Sequence, residues 1–178
     1  KVSQQRNPKG KVTICIVNTY DKLKWHDIHS RNIARAAPLC HYTGFDLCLF
    51  DFPFKEDYKE FLLKEVKENT TIGDGGKYIE ELIKHGKLVA TDDPNKLKGV
   101  FISTTSKPEK SCDLSTIAKN IRDGDDFVLF IGLGRRGLPR EIRKMTTYHL
   151  DITGEGISLE TCTAIGFIIG RIYEKINL

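Results

Sequence analysis

Apolar residues along this chain fall into short β-branched runs separated by longer mixed stretches. The first run, Val12, Thr13, Ile14, Cys15, Ile16 and Val17, is continuous rather than alternating. It therefore suits a strand covered on both faces, as in a parallel sheet. Similar runs recur at residues 47–50, 88–90, 100–103, 127–133 and 148–152. Between them lie stretches with helical spacing. Residues 56–67 place Phe61, Leu62 and Val66 on one side, residues 77–85 end at Gly86, and residues 114–121 follow Asp113, a good N-cap. The longest helical stretch is 158–176, with Ser158 as its expected N-cap and Leu159, Cys162, Gly166, Ile169, Ile172 and Ile176 on one face. Residues 32–42 also read as helix. Pro38 inside them predicts a kink or a restart, because proline removes a backbone donor and clashes with the preceding turn.

Strand and helix thus alternate about six times. That predicts one α/β domain over residues 1–178: a mostly parallel sheet of about six strands with helices on both faces, preceded by a loose polar leader at residues 1–10. In such sheets ligands sit at the carboxyl ends of strands, which directs attention to the loops after Ser103, Leu133 and Ile152.

Composition narrows the class without naming a function. Of 178 residues, 39% are hydrophobic and 29% charged, the balance of an ordinary water-soluble domain. Lys and Arg number 28 against 24 Asp and Glu, so an anionic partner is permitted but not required. The five cysteines have no CxxC spacing, and Cys15, Cys48 and Cys162 lie in apolar runs, which suits reduced, buried thiols. His26 and His29 are half of a metal site with nothing to complete it, so no metal is expected. No apolar stretch is long enough for a membrane span and no signal-peptide pattern appears, so a cytoplasmic location is expected and no membrane partner.

Two loops carry candidate chemistry. The first, Gly132-Leu133-Gly134-Arg135-Arg136-Gly137-Leu138-Pro139, joins the fifth strand to a short helix. Its glycines let the backbone approach a ligand, and a helix start favours anions. The GxGxxG spacing is present, yet a dinucleotide fingerprint belongs to a first βαβ unit; a dinucleotide-binding or flavodoxin-like oxidoreductase stays as one alternative. Basic residues crowd here: Arg135, Arg136, Arg140, Arg143 and Lys144 lie within ten positions, offset by Glu141 alone. They are candidates for RNA phosphate contact, or simply a solvated face. Tyr20, Trp25 and Tyr42 are candidates for stacking on an unpaired base. The glycine-rich turn at 73–76 is an ordinary turn, a lid or an anion nest. The second loop, Thr153-Gly154-Glu155-Gly156-Ile157, leads into the last helix.

At these loops the chain resembles a known family. Leu150-Asp151-Ile152-Thr153-Gly154, followed by Ser158-Leu159-Glu160-Thr161, is similar to the final motif of SpoU-type methyltransferases in the SPOUT superfamily. Phe130 to Leu138 resembles the preceding glycine motif. Asn32, followed by Gly44-Phe45-Asp46, resembles the first. The similarity covers most of the chain, is strongest over residues 99–176, and is nearest to an archaeal branch of the superfamily. It implies a C-terminal trefoil knot, a homodimer built on the first and last helices, and S-adenosyl-L-methionine held mainly by backbone atoms. The matched positions for that cofactor are Thr104, Ile131, Gly132, Leu133, Gly134, Gly137, Ile152, Gly154, Ser158 and Leu159. The candidate catalytic set is Asn32, Arg35, Ser158 and Glu160, and the candidate RNA contacts are Arg31, Arg135, Arg136 and Arg140. The implied activity is methylation of RNA, first of all on a ribose 2′-hydroxyl of tRNA or rRNA. Three positions depart from the family pattern. Glu160 replaces an asparagine, Leu133-Gly134 stand for Asn-Glu, and counting from Asn32 puts Pro38 where an arginine is expected, with Arg35 one turn earlier. These departures keep a second alternative in view, a SPOUT-fold dimer that binds RNA without catalysis.

Overall fold

The structure, a computed structural model, describes residues 9–66 and 75–178. Six strands form one sheet: β1 (Val12–Asn18), β2 (Asp46–Phe50), β3 (Leu88–Thr91), β4 (Val100–Thr104), β5 (Phe127–Leu133) and β6 (Tyr148–Leu150). Their order is β3-β2-β1-β5-β4-β6, and every pairing is parallel. The helices are α1 (Asp27–Thr43), α2 (Tyr58–Phe61) continuing as a π-turn at Leu62–Val66, α3 (Gly75–Lys84), α4 (Leu114–Arg122), α5 (Arg140–Met145) and α6 (Thr161–Ile176).

The apolar runs of the central strands β1, β2 and β5 are buried on both sides, as the sequence predicts, whereas edge strands β3 and β6 expose Val89 and Tyr148; the two sides also differ. Val12, Ile14 and Ile16 of β1 face a large core filled from α1, α3, α4, α6 and the π-turn. Cys15 and Val17 face a thinner layer closed by Leu138, Ile142 and Met145 around α5. Alternation along one strand therefore feeds two cores of unequal depth. On α6 the residues Ala164, Ile165, Ile168, Ile169, Ile172 and Ile176 are buried. Cys162 and Gly166, expected on that face, are half-exposed.

Several local expectations are corrected. The last helix starts at Thr161, not Ser158, because the Glu160 carboxylate caps it by accepting the Cys162 and Thr163 N–H groups. α1 runs unbroken through Pro38 from Asp27 to Thr43. Burial of Ile33, Ala34, Ala36, Ala37 and Cys40 outweighs one missing backbone bond. The stretch 56–67 is a single α-turn capped by Asp57 followed by a π-turn, and its last residue lies outside the described residues. β6 stops at Leu150, so residues 151–152 belong to the loop. Of the expected leader, residues 1–8 lie outside the described residues. Gly10 is not loose: it is buried and donates to Ile121 O at 2.9 Å. A Cβ there would sit 1.9 Å from Asp125 O. Of the expected turn at 73–76, the first two residues lie outside the described residues, and Gly75 and Gly76 begin α3.

Candidate functional site

The carboxyl ends of β4, β5 and β6 are adjacent, so the three loops that leave them meet. Thr104 Oγ1 donates to Phe130 O at 2.8 Å, tying the end of β4 to β5. Thr161, at the start of α6, donates its hydroxyl to Gly132 O at 3.0 Å and accepts from Gly134 N at 3.3 Å. The chain leaving edge strand β6 thus returns past β4 to clasp the glycine loop. From the other side Thr19 donates its hydroxyl to Leu133 O. Glycine is required at two points in the loop. A Cβ on Gly132 would meet the Gly137 carbonyl carbon at 2.8 Å, and Gly134 has φ 120°.

The loops enclose a cavity of about 770 Å³. Its walls are Thr104 to Lys107 after β4, Ile131, Gly132 and Gly134 to Leu138 after β5, and Asp151, Ile152 and Ile157 to Thr161 after β6. Ile28, Ala164 and Arg143 complete it from α1, α6 and α5. Of the ten positions matched to cofactor binding, Thr104, Ile131, Gly132, Gly134, Gly137, Ile152, Ser158 and Leu159 line the cavity. Leu133 and Gly154 do not. Leu133 is fully buried, and Gly154, with φ 75°, shapes the turn by donating to Asp151 O at 3.2 Å.

The candidate catalytic residues divide. Ser158 and Glu160 line the cavity; Asn32 and Arg35 do not. Asn32 is buried, donates to Ile28 O at 2.8 Å and accepts the Cys162 thiol at 3.0 Å. The amide nitrogen is spent within α1, and the amide oxygen joins α1 to the start of α6. Arg35 is exposed on α1 beside Cys162 and Glu160, with Arg31 one turn away. Burial raises the Cys162 thiol, against the lowering effect of the Arg35 guanidinium. Burial also acts to raise the Glu160 carboxyl. Hydrogen bonds from the Cys162 and Thr163 N–H groups and the Thr163 hydroxyl, with the Arg35 charge, outweigh it and hold the group below its ordinary value. Glu160 is therefore ionised at neutral pH and occupied as a helix cap.

Four cations line the cavity: Lys107, Arg135, Arg136 and Arg143. Arg140, expected beside the first two, is exposed outside the lining. Lys107, Asp151 and Ile157 were missed as site residues, although the loop after Ser103 was the right place to look. A parallel sheet brings distant loops together, and one-dimensional spacing does not report that convergence.

Beside this cavity stands a closed polar network at the ends of β1 and β2. Asn18, fully buried, donates to Asp21 O at 2.7 Å and Asp51 O at 3.0 Å. Its Oδ1 therefore accepts from His29 Nε2 at 3.0 Å and Tyr20 N at 3.1 Å. His29 Nδ1 accepts from His26 N at 2.9 Å, which fixes the neutral tautomer. Burial lowers the His29 pKa below 6.5, with the nearby His26 charge acting the same way. His26 Nε2 meets Asp21 Oδ2 at 2.8 Å. That bond, with the Leu23 and Lys24 N–H groups, lowers Asp21 to about 2. Trp25 donates to Ser30 Oγ and packs on Phe61 and Phe54, so it belongs to an aromatic cluster rather than to a free stacking surface.

Known structures share this fold. A Bacillus anthracis protein assigned to the RNA methyltransferases superposes with a TM-score of 0.61 at 19% identity, covering 93% of this chain and 94% of that one. The SpoU methyltransferase AviRb from Streptomyces viridochromogenes, crystallised with AdoMet, gives 0.54 at 14% identity, covering 94% and 58%. A structure concerned with 2-OH methylation of C/U34 on tRNA gives 0.58 at 16% identity, covering 94% and 97%. At these identities what is shared is the fold, that of the SpoU methyltransferases. In sequence, an uncharacterised protein of Methanocaldococcus jannaschii is 40% identical over 165 residues, 92% of this chain and 94% of that protein. Residues 12–173 match the model of the family described as protein of unknown function DUF531, and the chain belongs to that family.

Proposed function

We propose that this protein transfers a methyl group from S-adenosyl-L-methionine to RNA, at a ribose 2′-hydroxyl of tRNA or rRNA. One observation carries the reading: the cavity lies where three adjacent parallel strands end, is walled by the three loops that leave them, and is lined by four cations. Its volume of about 770 Å³ suits a nucleoside cofactor, since small-molecule pockets span roughly 300–1,000 Å³. Asp151 and Glu160 in its wall suit the cofactor's cationic centre. Bound there, S-adenosyl-L-methionine supplies an activated methyl on sulfur. The residues of the chain then orient, exclude water and manage charge. The clasp of Thr161 on Gly132 and Gly134 holds two walls at fixed spacing, which is the positioning that in-line transfer needs. Arg35, a guanidinium that donates and does not accept, serves to anchor a phosphate or stabilise a developing oxyanion, not to take a proton. Lys107, Arg135 and Arg136 are exposed at the cavity and supply a sequence-independent hold on the RNA backbone.

The same reading includes a trefoil knot, for which the return of the chain from β6 to β5 is the supporting geometry. It also includes a homodimer through α1 and α6. Phe167 and Tyr42 are exposed on these helices, and a Cβ on Gly166 or Gly170 would meet nothing within 4 Å. No helix among the described residues is long and apolar enough to cross a membrane. A second reading, an RNA-binding dimer without catalysis, is favoured by the engagement of Glu160 and Asn32 elsewhere. Calorimetry with S-adenosyl-L-methionine and S-adenosylhomocysteine tests the cofactor, and no heat at millimolar ligand would end the proposal. Mass spectrometry of tRNA and rRNA from a deletion strain tests the reaction. Loss of one 2′-O-methyl nucleoside is expected, and unchanged RNA alongside tight cofactor binding would select the second reading.

A further inference from the structure

The four cations of the cavity are not equivalent. Lys107, Arg135 and Arg136 are exposed. Arg143 is half-buried, and its Nε is sealed from solvent with no hydrogen-bond partner among the described residues. Folded proteins rarely leave a buried charged donor unpaired unless something else meets it. Neither cavity carboxylate meets it. Asp151 accepts from Gly156 N at 2.7 Å and Thr153 Oγ1 at 3.4 Å, and Glu160 caps α6. The Arg143 main chain is held from three directions. Its carbonyl accepts from His149 Nε2 and Thr146 Oγ1, each at 2.9 Å, and its N–H donates to Pro139 O at 3.1 Å. The adjacent Ile142 packs into the thin core. A fixed backbone thus presents a planar guanidinium fork at a cavity wall.

We infer that Arg143 is the anion-recognising residue of the cavity, pairing its guanidinium with two oxygens of a carboxylate or phosphate. This rests on the methyltransferase reading, and it deepens that reading by naming the charge the ligand must carry. The anionic oxygens have two sources, the amino-acid carboxylate of the cofactor or a backbone phosphate of the RNA.

The test compares wild type, Arg143→Gln and Arg143→Lys. Each is titrated with S-adenosylhomocysteine and with 5′-methylthioadenosine, which keeps the nucleoside and thioether but lacks the carboxylate. Each is also titrated with unfractionated tRNA over a salt series. If the carboxylate is the partner, wild type prefers S-adenosylhomocysteine by about tenfold or more, the worth of a charge-assisted bond. Arg143→Gln then loses that preference, while Arg143→Lys keeps only part of it. If phosphate is the partner, the preference is unchanged and the slope of log affinity against log salt falls by about one in Arg143→Gln. The inference is overturned if Arg143→Gln keeps both the preference and the slope. Should Arg143→Gln fail to fold, wild-type values in Arg143→Lys for both overturn it, because a point charge cannot replace the fork. Absence of any nucleoside binding by wild type would instead remove the methyltransferase reading, with the tRNA slope still deciding the role of Arg143.

Discussion

Two polar clusters stand side by side at the carboxyl edge of this sheet, and they are finished to different degrees. Around Asn18, at the ends of β1 and β2, the amide, both rings of His26 and His29, and the Asp21 carboxylate are bonded to one another or to backbone. Around the glycine loop, at the ends of β4, β5 and β6, cationic side chains line a cavity, and the Nε of one of them, Arg143, is buried with no partner among the described residues. A closed network has nothing left to offer a ligand, so its worth lies in stability. An open one leaves groups that only a ligand can satisfy. Polar residues alone do not mark a site; their unspent capacity does.

The sharpest way to break the comparison is to open the closed cluster. Asn18→Ala leaves His29 Nε2, Tyr20 N and two carbonyls without their partner. It should cost about 3 kcal/mol and lower Tm by roughly 6–12 °C in a thermal melt. Next comes Gly132→Ala, whose methyl would press on the Gly137 carbonyl. A loss of about 1–3 kcal/mol is expected, with weakened nucleoside binding in calorimetry. Glu160→Ala removes a helix cap and should cost about 1 kcal/mol. If that cap is its whole role, Glu160→Gln keeps incorporation of tritiated methyl into RNA within about threefold, whereas a general base would show a loss of about a hundredfold or more. Smallest in stability is Arg136→Ala, within about 0.5 kcal/mol of wild type, yet its tRNA salt slope should fall by about one.

The closed cluster also sets a pH dependence. The His29 pKa is lower folded than unfolded, so the unfolded chain binds more protons as pH drops below 6.5. The stabilising contribution is complete above 6.5 and is lost progressively below it. Tm should therefore fall from pH 7 to pH 5, and His29→Gln, which can still donate to Asn18, should flatten that part of the profile. Asp21, held near 2, adds its own loss only as pH falls below 3.8.

Much of the fold was legible because a buried parallel strand leaves a strong mark: six short, mostly apolar runs gave six strands to within one or two residues. The glycine loop was legible for a similar reason, since close backbone approach admits few other residues. What was hidden depends on distance. Nothing adjacent in sequence tells that Thr161 clasps Gly132 and Gly134, that Lys107 and Arg143 reach the same cavity, or that Asn32 is consumed by Cys162. The start of α6 was misplaced at Ser158 because cap preferences favour serine over glutamate. In the structure it is the Glu160 side chain that meets the first free N–H groups.

Hydrogen exchange with and without S-adenosylhomocysteine tests the distinction between the two clusters directly. The ligand should slow exchange of the amides at residues 132–138 and 152–161 and leave those of Tyr20 to His26 unchanged. Protection centred on the Asn18 cluster, or none in either loop under saturating ligand, would contradict the account.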